Sequence, residues 1–282
     1  MRIAVVGDLH GHLALMYAIL GRWQQETSQH IDLILQVGDV GSFPAGRPVD
    51  RATQRHAERD PEELGFAEFA GDAPPATILD PRPPLVFIPG NHEDFEFLEE
   101  RESRAPGHEV LYPVSNDGTI LALRSGSIWT CTIGDSAVRI AGVSGIAQES
   151  AKPRHPKYRL RLDHIRALRG RDRFDILISH EGPKGIPPGT QGSFGSTALA
   201  ALITESQPPL AFFGHYDLPG VWRAGRSVVF GLSSCGYGRE PHWPVNQGSV
   251  VLVTWDRTGP VAEPLAAPWL ADATRDSWRG WK

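Results

Sequence analysis

The chain has 282 residues, 40% hydrophobic and 22% charged, with a formal net charge of −5. That balance argues against a dedicated nucleic-acid binder, which shows a basic excess. No run approaches the ~20 apolar residues that cross a bilayer, and the length suffices for a large core in one mixed α/β unit over residues 1–282.

The chain opens on Arg2-Ile-Ala-Val-Val-Gly, a strand with no apolar leader before it, so a soluble, cytoplasmic protein is expected. Ile3–Val6, Leu33–Val37, Leu85–Ile88, Ile176–Ile178 and Leu210–Phe213 are short apolar runs bounded by Gly, Pro or a charge. This is the pattern of central strands covered on both faces. Between the first two, Leu13, Met16, Leu20 and Trp23 recur at spacings of three and four and predict an amphipathic helix. Strand, helix and strand in that order predict a βαβ unit. Residues Pro44 to Pro84 form a polar, Pro-rich insertion with a helix near Glu62–Ala70; a cap over the substrate and a plain surface excursion both fit it.

Further on, Thr119–Leu123, Ser127–Cys131, Val138–Val143, Gly220–Arg223, Ser227–Phe230 and Ser249–Thr254 are β-rich with close turns and predict a second, mainly antiparallel portion. Leu160–Leu168 and Thr197–Ile203 are weaker helical segments. The expected class is α/β, two packed mixed β-sheets flanked by helices. A tail from about 264 to 282, with Trp269, Trp278 and Trp281, docks either on the body or on a second subunit; the sequence leaves oligomeric state open. Cys131 and Cys235, far apart among apolar residues, read as reduced thiols. Arg154, His155, Lys157, Arg159 and Arg161 make either a local basic rim or a solvated face.

Five clusters carry the chemistry: Asp8-Leu9-His10, Gly38-Asp39, Gly90-Asn91-His92-Glu93, Ser179-His180 and Gly214-His215-Tyr216-Asp217. Most follow a β run directly, and residues at the C-terminal ends of neighbouring strands converge in space. Asp-x-His alone also reads as a helix cap, and Gly-Asp alone as a turn. An amide oxygen, an imidazole and a carboxylate in consecutive positions 91 to 93 are more than a turn needs. Together the clusters supply the O and N donors of a two-metal site. There is no Gly-x-Gly-x-x-Gly after the first strand, no P-loop and no Gly-x-Ser-x-Gly elbow.

The order Asp-x-His, Gly-Asp, Gly-Asn-His-Glu, His, Gly-His resembles the calcineurin-like metallophosphoesterase superfamily from Asp8 to Asp217. Pro89-Gly-Asn-His-Glu, Val138-Arg-Ile-Ala-Gly-Val-Ser-Gly-Ile and Phe174-Asp-Ile-Leu-Ile-Ser-His-Glu-Gly-Pro are similar to RNA lariat debranching enzymes. Gly7-Asp-Leu-His-Gly resembles the first motif of many bacterial phosphodiesterases and phosphatases.

The resemblance implies an αββα sandwich and two divalent ions. Asp8, His10 and Asp39 would hold the first, and Asp39, Asn91, His180 and His215 the second. A bridging hydroxide would attack phosphorus in line, with His92 assisting the leaving group and Glu93 orienting it. His12, Glu181 and Tyr216 are the expected substrate contacts.

Asp217 stands where the family has a last histidine and would give the first metal another carboxylate, which favours Mn or Fe, with Mg and Zn as alternatives. No arginine follows Asp39 before Arg47, unlike the protein Ser/Thr phosphatases of the superfamily. The expected partner is a phosphoester, as a small molecule or short nucleic acid, with no membrane. A diester is favoured over a monoester on the debranching-like layout. The alternative class, a catalytically silent scaffold, would have lost ligands that this chain keeps.

Overall fold

The computed structural model describes residues 1–77, 79–147, 159–170, 173–187, 194–237 and 243–281. In chain order its strands are β1 (Arg2–Val6), β2 (Leu33–Gln36), β3 (Leu85–Phe87), β4 (Leu111–Pro113), β5 (Ile120–Leu123), β6 (Ile128–Ile133) and β7 (Ser136–Val143). They continue with β8 (Ile176–Ser179), β9 (Leu210–Phe213), β10 (Gly220–Ala224), β11 (Ser227–Gly231), β12 (Val250–Asp256) and β13 (Gly259–Pro264). A seven-stranded sheet runs β13-β12-β1-β2-β3-β5-β4, and a six-stranded sheet runs β10-β11-β9-β8-β7-β6.

Alternation along each strand sorts side chains between layers. Ile3, Val5, Leu33, Leu35 and Val86 face inward and meet Ile140, Ile176, Ile178 and Phe212 of the other sheet. Ala4, Val6, Ile34 and Phe87 face outward onto α1 (Leu13–Thr27). On the far side, α5 (Leu162–Leu168) and α6 (Thr197–Ser206) cover the second sheet through Ile165, Leu168, Leu199 and Leu202. Helix, sheet, sheet, helix is therefore the layer order, as expected for the class.

The second portion differs from its expectation in two respects. β7, β8, β9 and β11 are mutually parallel, and only the outer pairs β6–β7 and β10–β11 are antiparallel. The close turns of those two hairpins suggested a meander, whereas the central strands are joined through α5 and α6. Moreover, Thr119–Leu123 and Ser249–Thr254 supply β5 and β12 to the first sheet, beside β3 and β1.

The insertion carries α2 (Arg51–Ala57), a 3-10 turn at Pro61–Leu64 and α3 (Phe66–Ala70). The helix expected over Glu62–Ala70 is split at Gly65, where the chain presses on the carbonyl of Gly11 so closely that a Cβ would sit 2.6 Å from it. α4 (Phe95–Arg104) follows the third cluster, capped by Asp94.

The tail docks on the body. Trp269 and Trp278 are buried in the α1 cluster, and Trp269 Nε1 donates to Glu26 at 2.6 Å. Arg22 lies 4.8 and 4.6 Å from the rings of Trp269 and Trp281. Covered by sheet on one side and tail on the other, α1 is buried more completely than its amphipathic pattern suggests. Arg275 then bonds Asp60 at 2.8 Å and Arg279 bonds Glu62, tying tail to insertion. Cys131 and Cys235 are buried free thiols. Among the described residues no helix is long and apolar enough to cross a membrane.

Candidate metal centre

Register decides which side chains meet. β1 and β2 pair Val6 with Gln36, β2 and β3 pair Gln36 with Phe87, and β8 and β9 pair Ser179 with Phe213. Asp8, Asp39, Asn91, His180 and His215 each lie within four residues beyond one of these aligned ends. Two motif glycines are required by that crowding. A Cβ at Gly90 would stand 2.1 Å from Asp39 Oδ1, and one at Gly214 would stand 2.1 Å from Asp8 Oδ1. The backbone is bent as well: His10, Asp39, His215 and Asp217 have φ of 42, 53, 68 and 50°. Such left-handed conformations cost non-glycine residues about 1–3 kcal/mol each and gather at functional sites.

Three groups of ligand atoms result, each with its atoms within 4.8 Å of one another: His12–Asp60–Glu62 away from the strand ends, and the strand-end pair Asp8–His10–Asp39 and Asp39–His180–His215. Asp39 belongs to both. Its Oδ1 accepts from the backbone N–H of Asn91 (2.5 Å) and His92 (2.6 Å), while Oδ2 faces His180 Nε2 at 3.3 Å. Asn91 Oδ1 lies 2.9 Å from the same Nε2 and so joins the group of His180. His180 Nδ1 is 3.2 Å from the Val37 carbonyl, which fixes the ring the way a metal-bound imidazole is usually fixed. Asp8 accepts the His215 N–H at 3.0 Å.

The electrostatics fit a cation. Burial raises Asp8 to about 7, with His180 opposing and Asp39 adding to the rise. Burial also resists charge on Asp39, but His180, His92 and His10 outweigh it and hold the carboxyl below its usual range. Burial likewise opposes charge on His180, yet Asp39 and Asp8 lift it to about 9. The buried carboxylates thus demand positive charge, which divalent ions supply. Burial lowers His10 and His215 to about 4, keeping both imidazoles neutral, as metal ligands must be.

His92 stands apart from these groups. Its ring packs edge-on against His10 at 5.4 Å, and its Nδ1 lies 3.6 Å from Asp50 Oδ2. Burial works against its charge, but Asp50 and Asp39 prevail and raise it to about 9. Asp50 had no sequence signal beyond an Asp before a short helix, whose Ala52 and Thr53 N–H groups it caps.

Three expectations are corrected, and a fourth residue stands apart from the ligand groups. Glu93 does not orient His92; its carboxylate accepts from the N–H of Val40 (3.0 Å), Ser42 (2.8 Å) and Gly90 (3.3 Å), pinning two motif loops together. Glu181 is buried at 1% exposure and accepts from Ala147 and Gly182 N–H and the Tyr216 hydroxyl, so its carboxylate holds loops together. Tyr216 spends its hydroxyl on Glu181 and Gly195 N–H, and its ring stacks on Phe194 at 3.6 Å. Asp217 lies in neither strand-end ligand group; its Oδ1 accepts from Ser234 N–H at 2.7 Å.

His12 does line a cavity of about 640 Å³ beside His10, with its own ring nitrogens bonded to the Leu9 carbonyl (2.9 Å) and Asp60 (3.2 Å). Arg47 is held by Asp94 and Glu100, and Arg161 by Asp163. Arg154, His155, Lys157, Gly192 and Ser193 lie outside the described residues.

Comparison with known proteins shows what the chain is similar to. The calcineurin-like phosphoesterase family model matches residues 1–216. The lariat debranching enzyme of Drosophila pseudoobscura pseudoobscura is 25% identical over 249 residues, covering 76% of this chain and 42% of that protein. The Entamoeba histolytica lariat debranching enzyme is 24% identical, covering 83% and 69%. The chain thus spans less than half the length of the first relative. Among solved structures, a protein of Thermus thermophilus superposes with a TM-score of 0.51 at 16% identity, covering 93% of this chain and 98% of its own. GAP50, described as the anchor in the inner membrane complex of Plasmodium, gives 0.53 at 12%, covering 94% and 84%. These two carry the fold alone.

Proposed function

The chain belongs to the calcineurin-like phosphoesterase family, and from that premise we propose that it is a two-metal phosphodiesterase acting on a small phosphoester or short nucleic acid. The observation that carries the reading is Asp39, the one carboxylate shared by both strand-end ligand groups. Asp8, His10 and Asp39 would hold one ion; Asp39, Asn91, His180 and His215 would hold the other. Such a pair, when bound, lowers the pKa of water to ~7 and offsets charge on the phosphoryl oxygens.

The chain's own residues do the rest. Asp50 keeps a proton on His92 through Nδ1, which leaves Nε2 to donate to the departing alcohol oxygen. That need is greatest for a diester, whose alkoxide leaving group is a poor one. Debranching relatives and the cavity beside His10 support the diester further. The insertion's 44–84 segment acts as a wall over the site, since it supplies Asp50 and Asp60, and the whole chain works as one unit with the tail from about 264 fastened to it. The buried free thiols accord with a reducing, cytoplasmic setting.

The decisive experiment is a panel of mono- and diesters, cyclic nucleotides and branched RNA, assayed with Mn²⁺, Fe²⁺, Mg²⁺ and Zn²⁺. Diester cleavage that requires metal, best with Mn or Fe, is expected. Turnover of monoesters alone, or turnover in excess chelator, would overturn the reading.

Asp50→Asn isolates the role of His92, because asparagine preserves the helix cap while removing the charge. His92 is lifted by Asp50, so its proton is retained up to the raised value and lost above it. Without Asp50 the alkaline limb of kcat is expected to move to lower pH, by about 1 unit for loss of an opposite charge at this range. Metal content should not change. A limb unmoved by the substitution removes Asp50 from the mechanism.

A further inference from the structure

The cavity of about 640 Å³ opens beside His10 and Asp217, but most of its wall comes from segments outside the metal motifs. The insertion contributes Arg59 and Asp60, the tail contributes Arg275, and the loop after β11 contributes Tyr237. Its volume is that of a pocket for a nucleotide-sized ligand.

Each carboxylate in the wall already has its partner. Asp60 is bonded by His12 (3.2 Å) and Arg275 (2.8 Å), Glu63 faces His56 Nδ1 at 3.5 Å, and Asp217 accepts from Ser234 N–H. The polar groups that lack one are of the opposite kind. Arg59 is exposed and, among the described residues, has no ion-pair partner. Among the described residues, Arg275 Nε is buried with no hydrogen-bond partner, and the buried Tyr237 hydroxyl, which has the Trp278 indole beside it, has no acceptor for its proton. An unmatched buried donor is destabilising, and an oxygen-rich ligand removes that penalty. Two guanidinium groups and a phenol in one wall suit phosphate oxygens, which accept from several donors at once.

We propose that this cavity is a subsite for a second phosphate of the substrate, bound by Arg59, Arg275 and Tyr237 while the scissile phosphate lies at the metal centre. The substrate class is then a phosphodiester that carries a further phosphate within nucleotide distance, an assignment that rests on the phosphodiesterase reading above.

The test compares a dinucleotide with and without a 5′-terminal phosphate, using the metal-loaded full chain. The wild type is expected to favour the phosphorylated form in kcat/KM by about tenfold or more, the scale of one charge-assisted contact pair. Arg59→Gln and Tyr237→Phe should each collapse that ratio severalfold, and Arg59→Lys should restore most of it. Calorimetry provides a readout independent of turnover: adenosine 3′,5′-bisphosphate should bind more tightly than adenosine 3′-monophosphate, and Arg59→Gln should abolish the difference. If the wild type cleaves neither dinucleotide but the calorimetric difference holds, the hydrolase reading fails and the subsite stands. Equal binding of the two nucleotides, or a selectivity ratio unchanged in Arg59→Gln, overturns the subsite.

Discussion

Asp39→Asn is expected to lower kcat/KM on a diester by about 10³-fold or more, the scale of removing a preorganised electrostatic partner. The substitution is close to isosteric. Oδ1 can still accept from the Asn91 and His92 N–H groups, so the loop geometry survives. What disappears is the charge common to both strand-end ligand groups. Metal measured by plasma emission should fall from two ions per chain to one or fewer. His180 loses its strongest supporting charge and should titrate below its raised value of about 9. A variant that keeps both ions and a tenth of the activity would contradict the shared position of Asp39.

The second large effect comes from a residue with no chemistry of its own. Gly90→Ala would place a Cβ 2.1 Å from Asp39 Oδ1 and 2.3 Å from its backbone nitrogen. The nitrogen is backbone and cannot rotate away as a side-chain end can, so the third motif must move off the second. Overpacking of this kind costs about 1–3 kcal/mol in stability, and disturbing the support of a ligand costs about 10–100-fold in metal affinity or activity. Gly107→Ala, where a Cβ meets nothing within 4 Å, is the control. A shared loss of metal and melting temperature in Gly90→Ala, absent from Gly107→Ala, is the expected result. Wild-type metal affinity in Gly90→Ala would show that the loop adapts and the close approach is incidental.

Much of the site was legible because it is local. Asp8, His10, Asp39, Asn91, His180 and His215 all follow short apolar strands, and strand ends in register bring them together. The layers were legible for the same reason, through burial period. What escaped the sequence depends on distant pairing. The side-chain period of β5 and β12 says that they are strands, not that they join β3 and β1 in the first sheet. Glu93 adjoins His92 in sequence, but its carboxylate points to the backbone of residues 40 and 42. The acid that does face His92 is Asp50, 42 positions earlier, in a segment without periodicity. Asp217, ligand-capable at a motif position, bonds Ser234 N–H through Oδ1 and lies outside the two strand-end ligand groups.

The fastening of Arg275 and Arg279 to Asp60 and Glu62 has an evolutionary corollary. The candidate ligands sit on strand termini, while the enclosure beside them is assembled from two excursions that pack on the body and bond each other. Lineages can therefore lengthen, trim or exchange those excursions and reshape the enclosure with the strand-end ligand set left in place.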